Sequence, residues 1–360
     1  MTKETELKLS IAPEFADQLA ALPLLQGARY QGKRVLFNRY FDTPDLALQR
    51  NKVALRIRRD GDTYLQTLKT QGTSQGGVHQ RGEWEMPIPE ARLDLSLFPQ
   101  EELPGCIAQD GRLEAAFTTD FERHQWLIQV EGAEVEMVLD RGEIHALDRT
   151  APLCEVELEL KKGDVAALFD VAYALSAEIP LFLCDISKAE RGYGLYTGHC
   201  LRDPSLPQVE SGMTQEQVYR TLFAYYLTCW QRHWEIYNDK GLMKDLEAIR
   251  HNLRALTDVM LTFADVIPMP DVALSRELAH LEARITDMLA FKTVQELTGL
   301  EHSALIKQQR QRLRERWLEL AADPMAGQLQ LMLGQWLVLS IWQAESTPEQ
   351  HALAQNAFIG

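Results

Sequence analysis

Charged and apolar residues alternate one for one along several stretches of this chain. In Glu4-Thr-Glu6-Leu-Lys8-Leu, the charged positions and the positions Thr5, Leu7, Leu9 and Ile11 fall on opposite faces of a β-strand. The same phase recurs in Arg56 and Arg58 against Leu55 and Ile57, and in Thr67 and Lys69 about Leu68. It recurs again in Arg81, Glu83 and Glu85 against Trp84 and Met86, in Val138 and Asp140 against Met137 and Leu139, and in Glu155, Glu157 and Glu159 against Val156, Leu158 and Leu160. Arg123 lies in a further β-like run, Phe121 to Val130. Each predicted strand has an aliphatic face that can pack and a face bearing ionised groups of both signs.

The period changes along the chain. Residues 1–200 read as strands punctuated by glycines, with a helix from Pro13 to Leu22 and another starting at Gly163-Asp164, where Asp can cap. Residues 201–213 hold two prolines and a glycine without periodicity and read as a linker. Beyond them the spacing is helical: Thr214 to about Tyr237, Leu242 to about Val266, Val272 to about Leu289, Glu301 to about Leu320, and Met325 to about Trp342. The expected domains are therefore 1–200, α+β and mostly antiparallel, and 214–360, an all-α bundle.

Composition narrows the function. A hydrophobic content of 46% and a charged content of 25% in 360 residues are those of a globular protein. The net charge of −15, with acids outnumbering bases in both halves, argues against a nucleic-acid-binding surface. The five cysteines have no zinc-ligand spacing, the N-terminus lacks an apolar leader, and the stretch Leu329–Trp342 is too short and interrupted to span a bilayer. These features predict a cytoplasmic protein with reduced thiols. No P-loop, Ser–His pair or covalent nucleophile is evident.

If the strands close into a barrel, their charged faces converge inside it. Acids Glu4, Glu6, Glu83, Glu85, Asp140, Glu155, Glu157 and Glu159 then face bases Lys8, Arg56, Arg58, Lys69, Arg81, Arg123, Lys188 and Arg191. Burying so many ions dry costs several kcal/mol each, so the cavity must be wet or filled by a ligand that pairs with both signs. A polyphosphate with divalent cations has that property.

Here the sequence resembles the CYTH superfamily, the triphosphate tunnel metalloenzymes. The opening Glu4-x-Glu6-x-Lys8 is followed in order by Asn38-Arg-Tyr40-Phe-Asp42, Ala54-Leu-Arg56-Ile-Arg58, Thr67-Leu-Lys69, Arg81-Gly-Glu83-Trp-Glu85, Leu139-Asp140-Arg-Gly, Glu155-Val-Glu157-Leu-Glu159 and Ser187-Lys188-Ala-Glu-Arg191. The resemblance implies an eight-stranded antiparallel tunnel with flanking helices. It further implies hydrolysis of inorganic triphosphate to pyrophosphate and phosphate with Mg²⁺ or Mn²⁺, two ions in all. Carried over by position, Glu4, Glu6, Asp140, Glu157 and Glu159 would hold metal, Lys8 and the other seven bases would hold phosphates, and Glu4, Glu6 and Lys8 would form the catalytic centre. Glu83, Glu85 and Glu155 would support metal ligands or orient water. Thiamine triphosphatase, nucleoside triphosphatase, class IV adenylyl cyclase and non-catalytic polyphosphate binding remain open alternatives, and oligomeric state is not set by the sequence.

The helical half resembles the CHAD domain, associated with polyphosphate binding, through His233 and through Arg250, His251 and Arg254. Bundle packing and polyphosphate binding are both open for it. Trp230, Trp234, Trp317, Trp336 and Trp342 read as core, and Arg310, Arg312, Arg314 and Arg316 as a solvated helix surface. Arg59, Asp60 and Asp62 read as a charged turn.

Overall fold

The structure is a computed structural model that describes residues 2–105, 107, 112–199, 201, 203–298, 304–356 and 358. Cys106 and Cys200 lie outside the described residues, and Cys154, Cys184 and Cys229 are free thiols. Among the described residues no helix is long and apolar enough to cross a membrane.

The strands are β1 (Thr2–Ser10), β2 (Arg29–Asp42), β3 (Ala54–Asp60), β4 (Thr63–Lys69), β5 (Thr73–Gln75), β6 (Val78–Ile88), β7 (Glu114–Val130), β8 (Ala133–Ala146), β9 (Arg149–Lys162) and β10 (Phe182–Leu183). Eight of them form a ring in the order β1, β9, β8, β7, β2, β3, β4, β6, with every pairing antiparallel. The ring closes because β1 bonds to β6 on one side and to β9 on the other. Closure leaves these eight strands no free edge and turns one face of each toward a common interior.

Register then aligns the charges. Lys8 lies opposite Glu157, Glu4 opposite Arg81, Lys69 opposite Glu83, and Arg123 opposite Asp140, which in turn faces Glu155. Paired residues share a face, so the alternation predicted strand by strand becomes one continuous charged lining. The intervening Leu7, Leu9, Val156 and Leu158 are fully buried.

The chain divides into two compact units. The first comprises Met1–Ser74, Val78–Val171 and Ile186–Arg202; the second comprises Gln75–Gly77, Ala172–Asp185 and Asp203–Gly360. In the first, the expected helix Pro13–Leu22 stops at Leu19, and a separate turn of helix covers Pro23–Gln26. Pro23 forces the residue before it out of helical geometry, and Leu22 is extended at φ −64°, ψ 143°. The helix signalled by Asp164 runs from Ala166 to Ser176, and the Asp164 carboxylate accepts from the Ala166 amide at 2.9 Å.

The second unit carries helices Gln215–Lys240, Met243–Thr262, Val272–Thr298, Ala304–Ala321, Pro324–Leu339, Trp342–Glu345 and Pro348–Ala354. Thr214 and Gln217 form a capping box at the first, and Gly241 ends it with φ 61°. The five tryptophans named above sit in a single core with Leu246, Ile249, Leu253 and Leu281. The helix predicted to reach Trp342 ends at Leu339, where Ser340 turns left-handed at φ 52°.

Candidate active site

The barrel encloses a cavity of about 390 Å³. It is lined by cations Lys8, Arg34, Arg56, Arg58, Lys69, Arg81, Arg123, Lys161 and Lys188, and by acids Glu4, Glu6, Asp60, Glu83, Glu85, Glu136, Glu157 and Glu159. Thus nearly all the bases and most of the acids picked from sequence meet in one chamber. Asp140 and Glu155 are buried in its wall. Arg191 is not among the lining residues; its charge acts on Glu155.

The charges form two linked groups. In one, Lys69 reaches Glu4 at 2.9 Å and Glu83 at 3.2 Å, and Arg81 reaches Glu6 at 2.8 Å and Glu4 at 3.4 Å. In the other, Arg123 holds Asp140 and lies 3.2 Å from Glu157, while Lys188 lies 2.7 Å from Asp140, 3.1 Å from Glu157, and bonds Glu155. Lys8 joins them, pairing with Glu157 and, at 3.3 Å, with Glu6.

Lys188 is not on a strand. Ser187 caps the helix Lys188–Thr197, accepting from the Glu190 amide at 3.1 Å, and Lys188 is that helix's first residue. The helix docks tightly on β7: a Cβ on Gly192 would lie 2.1 Å from the Phe117 ring. Tyr193 adds a 2.8 Å hydrogen bond to Asp42, whose carboxylate also accepts from the Thr43, Leu48 and Gln49 amides. Asp42 therefore organises the turn after β2 and the docked helix.

The interior tunes its ionisable groups. Burial alone would raise the Glu157 carboxyl, but Lys188, Lys8 and Arg123 hold it well below the usual range. Asp140 is likewise lowered, against burial, by Arg123 and Lys188, and Glu6 by Lys8 and Arg81. Glu155 goes the other way, because burial outweighs Lys188. Burial also raises Glu159, against its bond to Lys161. Tyr40 is lowered in spite of burial by the neighbouring Arg56.

Two cations are incompletely satisfied. Arg58 makes no ion pair among the described residues; its Nε donates to Asn38 at 2.8 Å, and burial together with Arg56 and Arg123 lowers its pKa. Arg56 reaches Glu83 only at 3.8 Å, and its buried Nε has no hydrogen-bond partner among the described residues.

Carboxylate oxygens of Asp140, Glu155 and Glu157 lie within 4.8 Å of one another, a set of hard oxygen donors suited to Mg²⁺ or Mn²⁺. Glu4, Glu6 and Glu159, expected with them, line the cavity but fall outside this trio. Glu155, expected in a supporting role, stands within it.

Sequence reading missed Arg34, Asp60, Gln125, Glu136 and Lys161, which all line the cavity. Asp60, read as part of a turn, ends β3 and pairs with Arg34 at 3.2 Å, whereas Arg59 faces outward over the Phe37 ring. In the helical unit, Arg250 and His251 are exposed, Arg254 pairs with Asp258, and His233 lies 3.0 Å from Asp203 and 3.2 Å from Asp245. Arg310, Arg312, Arg314 and Arg316 are exposed.

Known proteins bear directly on the barrel. The inorganic triphosphatase of Haemophilus influenzae is 35% identical over 212 residues, 56% of this chain and 58% of that protein, so the chain spans little more than half the length of this relative. Among solved structures, HpAC1 from Hippeastrum, described as revealing a dominant triphosphatase activity, is 19% identical with a TM-score of 0.40, covering 55% of this chain and 97% of that one. A solved inorganic triphosphatase is 17% identical with a TM-score of 0.22, covering 54% of this chain and 95% of its own. The CYTH domain matches residues 2–193, more than half of the chain and the whole of the closed barrel. On that match the chain belongs to the CYTH domain family.

Proposed function

We propose that this protein hydrolyses inorganic triphosphate to pyrophosphate and phosphate inside the barrel, with a divalent cation. The observation that carries the reading is the state of Arg56 and Arg58. Arg56 is buried and Arg58 half-buried in the cavity wall; the Arg56 Nε has no hydrogen-bond partner among the described residues, and Arg58 makes no ion pair among them. A buried guanidinium left this way is stabilised by an anion, and its planar fork suits phosphate oxygens. The relationship to an inorganic triphosphatase supports the same substrate.

In this reading Lys8, Arg56, Arg58, Lys69, Arg81, Arg123 and Lys188 grip phosphates, with Arg191 acting through Glu155. Asp140, Glu155 and Glu157 hold the cation, and Glu4, Glu6 and Glu159 extend the acidic wall. Mg²⁺ or Mn²⁺ bound there would offset phosphate charge and lower the pKa of coordinated water. Asn38 holds the Arg58 fork in place. Cations fixed along the wall stabilise charge on the leaving pyrophosphate without reorganising.

The deciding assay follows release of both phosphate and pyrophosphate from tripolyphosphate with Mg²⁺, Mn²⁺ or EDTA. Equal amounts of the two products, abolished by EDTA, are expected. Tight binding without turnover under any metal would replace hydrolysis with a binding role, and faster turnover of ATP or thiamine triphosphate would reassign the substrate.

A further inference from the structure

We propose that Arg34, with Lys161, forms a rim subsite that holds the part of a linear phosphate chain lying beyond its third phosphate, and so sets how strongly longer chains are accepted. This rests on the triphosphate reading of the cavity.

The cavity wall grows more exposed toward one end of β9. Along β9 the inward side chains go from 2% exposed at Glu155, through 14% at Glu157, to 30% at Glu159 and 34% at Lys161. Arg34, near the start of β2, is 47% exposed and lines the same cavity. A chain seated on the buried cations therefore extends toward Arg34 and Lys161 when it is longer than the chamber.

The rim cations are held differently from the buried ones. Arg34 pairs with Asp60 at 3.2 Å, and Lys161 pairs with Glu159 at 2.8 Å and Glu136 at 3.4 Å, all in contact with solvent. Solvated pairs are weak, so a phosphate can replace the carboxylate. The buried Lys188–Asp140 pair is much harder to exchange. Arg34 is also kept in position when Asp60 lets go. Its Nη2 donates to Gln125 at 2.6 Å, and Gln125 donates in turn to Gln31 at 2.9 Å and Glu136 at 2.6 Å. That relay crosses β2, β7 and β8 and fixes the guanidinium at the mouth.

The test measures affinity for tripolyphosphate, tetrapolyphosphate and ATP by titration calorimetry of the full chain in EDTA, alongside KM and kcat with metal. Arg34→Ala should raise the ratio of tetrapolyphosphate to tripolyphosphate dissociation constants about tenfold, with the KM ratio following and kcat for tetrapolyphosphate changing less than KM. Arg34→Lys should restore part of the ratio. Asp60→Asn, which frees Arg34, should lower it. An unchanged ratio, or a ratio that shifts for ATP but not for tetrapolyphosphate, would overturn the proposal. Because the calorimetric arm needs no turnover, a chain that binds with the expected ratios but does not hydrolyse would sink the enzymatic reading and leave the rim subsite standing.

Discussion

Arg123 grips Asp140 through two parallel hydrogen bonds, Nε to Oδ1 at 2.7 Å and Nη2 to Oδ2 at 2.6 Å. Asp140 is fully buried, so removing Arg123 leaves its carboxylate out of water with Lys188 alone to balance it. Arg123→Met should cost roughly 3–5 kcal/mol of stability in urea unfolding, and adding Asp140→Leu should recover much of the loss while leaving the site inactive. A single variant as stable as the parent would show that the pair is more solvated than its burial implies.

Acid should unfold the barrel through the same network. Glu6, Asp140 and Glu157 have folded-state pKa values below their ordinary ones. A lowered carboxyl contributes stability that is present above its unfolded pKa and lost as pH falls through its folded value. The melting temperature should therefore fall as pH drops below about 4.5, the ordinary Glu value. Glu157→Gln should flatten that slope.

In the helical unit the sign reverses. His233 sits between Asp203 and Asp245, and their hydrogen bonds and charge raise its pKa above 6.5 against the effect of burial. Its contribution is full below the unfolded value and is lost as pH rises through the folded one. Stability of the unit should decline as pH rises from 6.5, and His233→Gln should remove that decline. Thermal melts followed by tryptophan fluorescence would read it, because the core of this unit carries five tryptophans.

Gly192→Ala tests whether the docked helix positions Lys188. The added methyl would meet Phe117 at 2.1 Å, and the ring is itself stacked on Tyr40 at 4.4 Å and cannot retreat freely. The helix should shift, destabilising the first unit by about 1–3 kcal/mol and weakening phosphate binding through Lys188. Unchanged binding would show that Lys188 reaches its partners independently of the docking.

The inward charges were legible because a strand's period of two separates its faces without reference to any other strand. Glu4, Glu6, Lys8, Arg56, Arg58 and Glu157 were found that way. Arg34 was not, because Lys33 and Arg34 are adjacent and the register of β2 against β7 shifts between Tyr30 and Gly32, where Gly32 takes φ 113°. An irregularity of that kind hides which neighbour faces inward. Asp60 was hidden among the charges of the turn that follows it. Lys161 ends a β9 run whose next residue, Lys162, is equally charged, so alternation could not choose between them. Pairing between distant strands, which assembles Asp140, Glu155 and Glu157 on Lys188, has no local signature at all.

The bond between β1 and β9 joins residues about 150 positions apart, Lys8 with Glu157 among them. During synthesis, nearly half the chain must leave the ribosome before the opening strand can find its second neighbour. Until then one edge of β1 is an open template for other chains, and ring closure carries a large loop entropy. The long-range pairing that gathers the charges is of the kind that slows folding and leaves a strand edge exposed to other chains while it forms.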